Sequence, residues 1–196
     1  MAPVNATVTP PHHRHIWILT GPAGCGKSTV GRYLAAQLAF PYIEGDELHT
    51  AENIQKMAAD IPLTDADRWD WLISLRQQAV AAFATGTTGV ILTCSALKRK
   101  YRDVIRIASY NDSHVLVHFV YLHATEDLAV SRVRVRQGHY MKESMVRSQF
   151  QALEEPTEDE TDVLAIDVDR TTAEVQTLAI QLVKEIMAEG TAEQLS

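Results

Sequence analysis

The sequence predicts an α/β fold in which helices cover both faces of a central parallel β-sheet. Short apolar strands alternate with helical segments along the chain of 196 residues. Parallel strands require this alternation, since each strand must return through a crossover that is usually a helix. The strands are apolar on both faces, as is typical of a sheet buried on both sides. No repeat or linker divides the chain, so we expect one domain at residues 15–190 after a flexible arm at residues 1–14.

The strands are predicted from short apolar, β-branched runs bounded by glycine or polar residues. The first of these, residues 15–20, runs directly into a glycine. The others are expected at residues 41–44, 89–94, 115–122 and 163–166.

The helices are predicted from apolar residues spaced three and four apart and from capping side chains at their starts. Thr50, Asp65 and Thr125 are the expected caps of three helices. The helical segments are residues 27–38, the segment after Thr50, residues 66–84, residues 95–108, the segment after Thr125, residues 144–153 and residues 172–187.

Composition and charge exclude several classes of protein. The 18 Lys and Arg residues against 25 Asp and Glu residues give a net charge of −7, which argues against nucleic acid as the main partner. No apolar run reaches the roughly 20 residues that span a bilayer, and the N-terminus lacks the apolar core of a secretory signal. The two cysteines are too few for a disulfide framework or a zinc site. We therefore expect a soluble cytoplasmic protein without a membrane partner.

The segment from Gly21 to Ser28 has the sequence pattern of a phosphate-binding loop, G-x-x-x-x-G-K-[ST]. It directly follows the first predicted strand and opens the first predicted helix, so backbone N–H groups and the helix N-terminus would face phosphate oxygens. Lys27 would reach the β and γ phosphates of ATP, and the Ser28 hydroxyl would bind Mg²⁺. The fold is thereby narrowed to a P-loop three-layer αβα sandwich. The predicted nucleotide contacts in the loop are Gly21, Ala23, Gly24, Cys25, Gly26, Lys27, Ser28 and Thr29.

Two large classes of P-loop protein do not fit the sequence. A GTPase would carry an Asn-Lys-x-Asp motif for guanine, and the chain has none. A mechanical ATPase usually has an apolar strand that ends in a metal-binding Asp, whereas the candidate strands here end in Thr93-Cys94-Ser95 and Leu122-His123. The small size of the chain favours a small-molecule phosphotransferase instead.

An acidic pair, Glu44 and Asp46, follows the second predicted strand. The carboxyl ends of parallel strands face the ligand crevice, and residues two apart on an extended segment point the same way. Glu44 is expected to hold Mg²⁺ through its water shell, and Asp46 to accept a proton from the attacking hydroxyl.

Several further blocks resemble the gluconokinase family and follow its order over about residues 17–169. They are residues 45–49, 53–57, 61–72, 94–103, 138–141 and 148–156. The resemblance implies a nucleoside-monophosphate-kinase-like fold with a helical lid at about residues 132–150. It also implies transfer of the γ-phosphate of ATP to the 6-hydroxyl of D-gluconate, releasing ADP. Members are often homodimers, so a homodimer is the expected assembly.

Gluconate is a polyol with a carboxylate at one end, so its site needs cations and a network that reads hydroxyls. Asp65 and Asp67 are expected to orient the Arg68 guanidinium, while Lys98 and Arg102 would share one helix face. The resemblance implies as substrate contacts Asp46, His49, Arg68, Lys98, Arg102 and His139.

A row of arginines lies in the expected lid. On a helix Arg132 and Arg136 share a face, and by analogy with kinases of this fold we expect Arg132 to stack on adenine. Arg136 would contact the phosphates as a catalytic residue, with Gly138 as a hinge. The turn around Val168 resembles the backbone loop that contacts adenine in the family.

Cys25 is the subject of a separate expectation. Its place at a helix N-terminus beside Lys27 favours the thiolate. A thiol reagent would then inactivate the protein, MgATP would protect it, and Cys94 would react more slowly. The alternative is that Cys25 is a small residue whose side chain faces away from the phosphates.

Two alternatives to a gluconate kinase stay open at the level of sequence. One is another small-molecule kinase of the same fold, for example a shikimate kinase. The other is a nucleotide-binding regulator that has lost catalysis, although the presence of Lys27, Ser28 and Asp46 argues against it.

Overall fold

A computed structural model describes residues 13–135 and 143–193, with side chains as far as residue 189. The strands are β1 (Arg14–Thr20), β2 (Tyr42–Ile43), β3 (Gly89–Thr93), β4 (Val115–His123) and β5 (Val163–Asp167). The helices are α1 (Lys27–Leu38), α2 (Ala51–Ala58), α3 (Trp69–Ala82), α4 (Arg99–Asn111), α5 (Glu126–Val135), α6 (Glu143–Ala152) and α7 (Thr172–Glu193). Short 3-10 turns lie at Gly45–Leu48 and Phe83–Thr85.

The five strands form one parallel sheet in the order β2-β3-β1-β4-β5. From β1 the chain passes to one edge and returns through β3, then crosses to the other edge through β4 and β5. The central strand β1 therefore ends where the direction of the chain reverses, which is where open α/β sheets bind ligands.

Helices cover the sheet on both sides, which confirms the predicted three-layer sandwich. Ile16 and Ile18 of β1 pack in a core with α3 and α4, whereas Trp17 and Leu19 pack in a second core with α1 and α7. All four side chains are fully buried. The alternation of β1 between two cores explains why its sequence is apolar on both faces.

Most predicted elements are confirmed, with differences at three starts. Helix α4 begins at Arg99 rather than near residue 95, because Ala96 has φ 39°, in the left-handed region that interrupts a helix. Helix α3 begins at Trp69 rather than residue 66, and the Asp65 side chain bonds elsewhere instead of capping it. Arg14, predicted to belong to the flexible arm, is the first residue of β1. The arm itself, residues 1–12, lies outside the described residues.

Helices α5 and α6 form the part of the predicted lid that the structure describes. Val130 of α5 and Val146 of α6 form a small apolar core with Ala129, against which Ala23 and Phe150 pack. This core joins both helices to the phosphate loop. The segment between them, residues 136–142, lies outside the described residues, so the roles predicted for Arg136, Gly138 and His139 remain predictions.

Within residues 13–135 and 143–193, no helix combines the length and apolar character needed to span a membrane.

Candidate active site

A cavity of about 350 Å³ lies at the carboxyl end of β1. It brings together the phosphate loop, both acidic residues after β2, and residues of α5, α6 and the turn after β5. Among its lining residues are Ala23, Gly24, Cys25, Gly26, Lys27, Ser28, Thr29, Glu44, Asp46, Ser95, Arg132, Gln149 and Val168. Gly21, which was also predicted to contact the nucleotide, holds the entrance of the loop through a hydrogen bond from its N–H to Ser95 O at 3.2 Å.

The phosphate loop depends on close backbone packing. A Cβ on Gly24 would come within 2.6 Å of Ala129 O in α5, and Gly24 has φ 85°, so glycine is required there on both grounds. The Lys27 ammonium bends back over the loop and donates to Gly21 O and Pro22 O at 2.9 and 3.0 Å. This arrangement holds the charge of Lys27 at the first residues of the loop, in the same cavity as Glu44 and Asp46.

The prediction of a reactive Cys25 is wrong. Its side chain is 1% exposed. Burial raises the pKa of the Cys25 thiol above its ordinary value and outweighs the opposing effects of Lys27 and the loop N–H groups. The thiol therefore stays protonated and covered, so we expect slow alkylation. Cys94 is buried as predicted, and burial raises its pKa to about 12.

Glu44 sits beside Ser28 in a network of hydrogen bonds. Its carboxylate accepts bonds from Thr93 Oγ1 at 2.5 Å and from Tyr42 Oη at 2.7 Å, and it pairs with Arg32 at 3.1 Å. Burial tends to raise the pKa of Glu44, but bonds from Thr93, Tyr42 and Ser28 outweigh it and lower that pKa. Glu44 is therefore an anion whose oxygens are fixed next to the Ser28 hydroxyl.

Asp46 lies in the 3-10 turn rather than on an extended segment, which corrects the predicted geometry although both carboxylates still line one cavity. Gly45 anchors this turn: its N–H donates to Thr93 Oγ1 at 3.1 Å and its carbonyl accepts from Trp71 Nε1 at 2.7 Å. A Cβ on Gly45 would lie 1.9 Å from Thr93 O, so only glycine allows this approach.

His49 follows the same turn and stacks on Trp71, with ring centroids 4.2 Å apart. Burial lowers the pKa of His49 to about 4, with Arg68 adding to the effect and Asp46 opposing it. The imidazole is therefore neutral at pH 7, and its buried Nδ1 has no hydrogen-bond partner among the described residues. A neutral ring with an unused polar atom suits a contact with a substrate hydroxyl.

The prediction that Asp65 and Asp67 orient the Arg68 guanidinium is wrong. Asp65 instead binds Lys98 at 3.1 Å, with further short bonds from Lys100 and Tyr101. Asp67 bonds to Lys56 and to Thr64. Arg68 lies over the Tyr101 ring, 5.6 Å from its centroid, and its charge helps to lower the pKa of His49.

The structure also shows that Arg102 is buried in an ion pair. Its side chain is 2% exposed and forms a paired ion bridge to Glu160, with bonds of 2.7 and 2.6 Å. It also donates to Ala96 O and Glu154 O. The expectation that Arg102 shares a substrate-facing surface with Lys98 is corrected: Lys98 precedes the first turn of α4, and Arg102 points into the core.

Arg132 and Val168 both line the cavity and are bonded to each other. Arg132 Nη2 donates to Val168 O at 2.7 Å. The bond spans α5 and the turn after β5, which are the two elements predicted to contact adenine. Both predictions are compatible with this placement.

Sequence reasoning missed several residues that build the site. Thr93 supports both Glu44 and Gly45, and Trp71 supports both Gly45 and His49. The position of Thr93 at the end of a strand next to β1 was a usable signal. Gln149 bonds to the phosphate loop from 126 positions away, which no local pattern could indicate.

Comparisons with known proteins give matches over most of the chain. Residues 16–158 match a family profile described as an AAA domain. The chain is 39% identical over 191 residues to a probable gluconokinase of Schizosaccharomyces pombe, covering 97% of each chain. It is 41% identical over 174 residues to the thermoresistant gluconokinase of Escherichia coli, covering 89% of this chain and 96% of the relative.

Solved structures give the same result. A gluconokinase from Sinorhizobium meliloti superposes with a TM-score of 0.79 at 35% identity, covering 93% of this chain and 98% of the other. An APS kinase from Mycobacterium tuberculosis, in complex with AMPPNP and APS, superposes with a TM-score of 0.62 at 22% identity over 89% of this chain and 99% of the other. The second likeness concerns the fold alone.

Proposed function

Because the chain belongs to the gluconokinase family, we propose that it transfers the γ-phosphate of ATP to the 6-hydroxyl of D-gluconate, giving 6-phospho-D-gluconate and ADP. The observation that carries the proposal is the joining of Lys27, Ser28, Glu44 and Asp46 in one cavity. A phosphate loop alone indicates a nucleotide. The acidic pair in the same cavity would supply a carboxylate for Mg²⁺ and a carboxylate that takes the proton of the attacking hydroxyl.

The phosphate loop and α1 would bind the phosphates of ATP. Loop N–H groups and the N-terminus of α1 would hold the phosphates, and Lys27 would leave its carbonyl partners to stabilise charge on the transferring group. The Ser28 hydroxyl and the Glu44 carboxylate are hard oxygen donors already within bonding reach of each other, so they fit Mg²⁺ bound directly or through water. When bound, Mg²⁺ neutralises charge on the β and γ phosphate oxygens.

Asp46 would orient the 6-hydroxyl and take its proton. It lies on the turn that Gly45 fixes to Thr93 and Trp71, so its backbone position is set by the sheet. Phosphoryl transfer passes through a loose transition state, which makes alignment of the hydroxyl as important as removal of its proton.

Arg68 would bind the gluconate carboxylate, assisted by Lys98. His49 would form a hydrogen bond with one of the gluconate hydroxyls. Arg68 and Lys98 lie 5.6 and 5.7 Å from the Tyr101 ring centroid, and Lys98 also pairs with Asp65 at 3.1 Å. The proximity of both cations to one ring supports a shared role at the carboxylate. Arg136 and His139 keep their proposed roles at the phosphates and at gluconate.

The experiment is a substrate panel for the purified chain with MgATP, in which ADP release is measured with D-gluconate, shikimate and nucleoside monophosphates. We expect release with gluconate alone. Release with shikimate or a nucleotide would support another kinase of the same fold, and no release with any sugar acid would support a nucleotide-binding regulator.

We also propose a homodimer in the cytoplasm as the working form, with no nucleic acid or membrane partner. The family analogy supports the dimer. Light scattering during size-exclusion chromatography tests it, and a mass near the monomer value of 21.8 kDa would contradict it.

A further inference from the structure

We infer that Gln149 contacts the nucleotide and senses the terminal phosphate of ATP, a role that rests on the proposed function. Its amide oxygen accepts a hydrogen bond from the Ala23 N–H at 2.8 Å, which joins α6 to the phosphate loop. The side chain also lines the cavity that holds Lys27 and Ser28.

The partner of the amide fixes its orientation. A backbone N–H can only donate, so the atom that bonds to Ala23 must be Oε1 and not Nε2. The bond to Ala23 holds the Gln149 amide against the loop, and Nε2 of that amide carries two N–H donors. No acceptor among residues 13–135 and 143–189 forms a hydrogen bond with them. A phosphate oxygen would provide the acceptor that they lack.

The position of Ala23 in the loop indicates which phosphate is concerned. Ser28 and Thr29, at the start of α1, are placed for the inner phosphates, whereas Ala23 lies at the opposite end of the loop. The Lys27 ammonium, which reaches the β and γ phosphates in such loops, is bonded to Pro22 O next to Ala23. Gln149 therefore stands at the γ end.

Helix α6 packs against the phosphate loop on the face that carries Gln149. Val146, Gln149 and Phe150 are three and four positions apart and share one face of the helix. Val146 and Phe150 pack in the apolar core that includes Ala23 and Val130. The same face thus anchors the helix and presents the amide to the loop, so a γ-phosphate that draws on Nε2 would also hold α6 in place.

The test separates a phosphate donor from a structural brace. Gln149→Glu keeps an acceptor for the Ala23 N–H but loses both donors and adds negative charge. Gln149→Ala loses both the acceptor and the donors. Binding of MgADP and of Mg-AMPPNP, which has the third phosphate, is measured by calorimetry. Gln151, exposed on the same helix, gives matched controls as Gln151→Glu and Gln151→Ala.

We expect both Gln149 variants to lower the affinity for Mg-AMPPNP relative to MgADP by about tenfold or more, as loss of a charge-assisted bond implies. The Gln151 controls should leave the ratio unchanged. Wild-type Mg-AMPPNP affinity in Gln149→Glu, or equal losses for both nucleotides, would overturn the inference. Neither titration contains gluconate, so a failure of the proposed function would show separately, as a wild-type chain that binds both nucleotides but does not phosphorylate gluconate.

Discussion

At the scale of single residues, the chemistry rests on side chains whose positions are set by neighbours that do not react. Asp46 shows this most clearly, because its turn is fixed through Gly45 to Thr93 of β3 and Trp71 of α3. A change to Asp46 should therefore alter the reaction without altering the site around it.

Asp46→Asn should lower kcat with little change in the KM for ATP. The amide has nearly the same shape but cannot take the proton of the 6-hydroxyl, and positioned base catalysis is worth about 10²–10⁴-fold. Steady-state kinetics checks this, with Glu47→Gln as the control, since Glu47 is an exposed carboxylate on the same turn. An unchanged kcat in Asp46→Asn would remove Asp46 from the chemistry.

Arg68→Ala should raise the KM for gluconate more than the KM for ATP. A carboxylate that loses a charged partner loses a bond of about 1.5–3 kcal/mol, or roughly 10–150-fold in affinity. Arg76→Ala is the matched control, because Arg76 lies on the same helix region and its side chain donates to Val104 O of α4. Equal rises in both KM values would indicate general damage rather than a lost substrate contact.

At the scale of elements, Arg102 links α4 to the acidic loop at residues 153–162 through its ion pair with Glu160. Arg102 and Glu160 are both buried, and Arg106 bonds to Glu160 and Asp162 beside them. A buried ion pair adds little net stability, but breaking one side of it leaves an unpaired buried charge.

Glu160→Gln should therefore destabilise the fold by about 3–5 kcal/mol, while the KM for gluconate stays unchanged at temperatures where the variant is folded. Urea unfolding and kinetics measure the two effects, and Glu158→Gln, an exposed change in the same loop, is the control. A raised KM for gluconate without loss of stability would return Arg102 to the substrate site.

The same elements show how far sequence could go. The phosphate loop and the Thr50 and Thr125 caps depend on neighbours within a few positions. Both caps are confirmed, since the two hydroxyls accept bonds from the N–H groups of Asn53 and Leu128. The partners of Arg102 and Gln149 lie 58 and 126 positions away, so their roles could not be predicted locally. For Cys25, the local charges were identified correctly, but burial by the tertiary fold dominates its pKa.

At the scale of the whole molecule, buried histidines tie stability to pH. His15 and His118 face each other across β1 and β4, with Nδ1 and Nε2 3.0 Å apart. Burial lowers the pKa of each to about 4, and burial does the same for His49. The unfolded chain, with ordinary histidine pKa values near 6.5, binds more protons than the folded chain between these limits.

Stability should therefore be full above about pH 6.5 and fall as the pH drops toward 4, by at most about 1.4 kcal/mol per pH unit for each histidine. Urea unfolding at pH 7, 6 and 5 measures the slope. His118→Phe, which keeps a ring against Trp17, should reduce it, and His114→Phe at an exposed position should not. A slope that His118→Phe leaves intact would show that the buried pair does not control the pH response.

The proposed reaction is the transfer of the γ-phosphate of ATP to the 6-hydroxyl of D-gluconate. Phosphorus NMR of the product from D-gluconate and MgATP tests this directly. Phosphorus on the 6-oxygen is coupled with similar strength to the two protons of the neighbouring CH₂ group. We expect the product signal to be a triplet, together with the signals of ADP. A doublet, which marks phosphate on a secondary hydroxyl, or inorganic phosphate as the sole product would contradict the account.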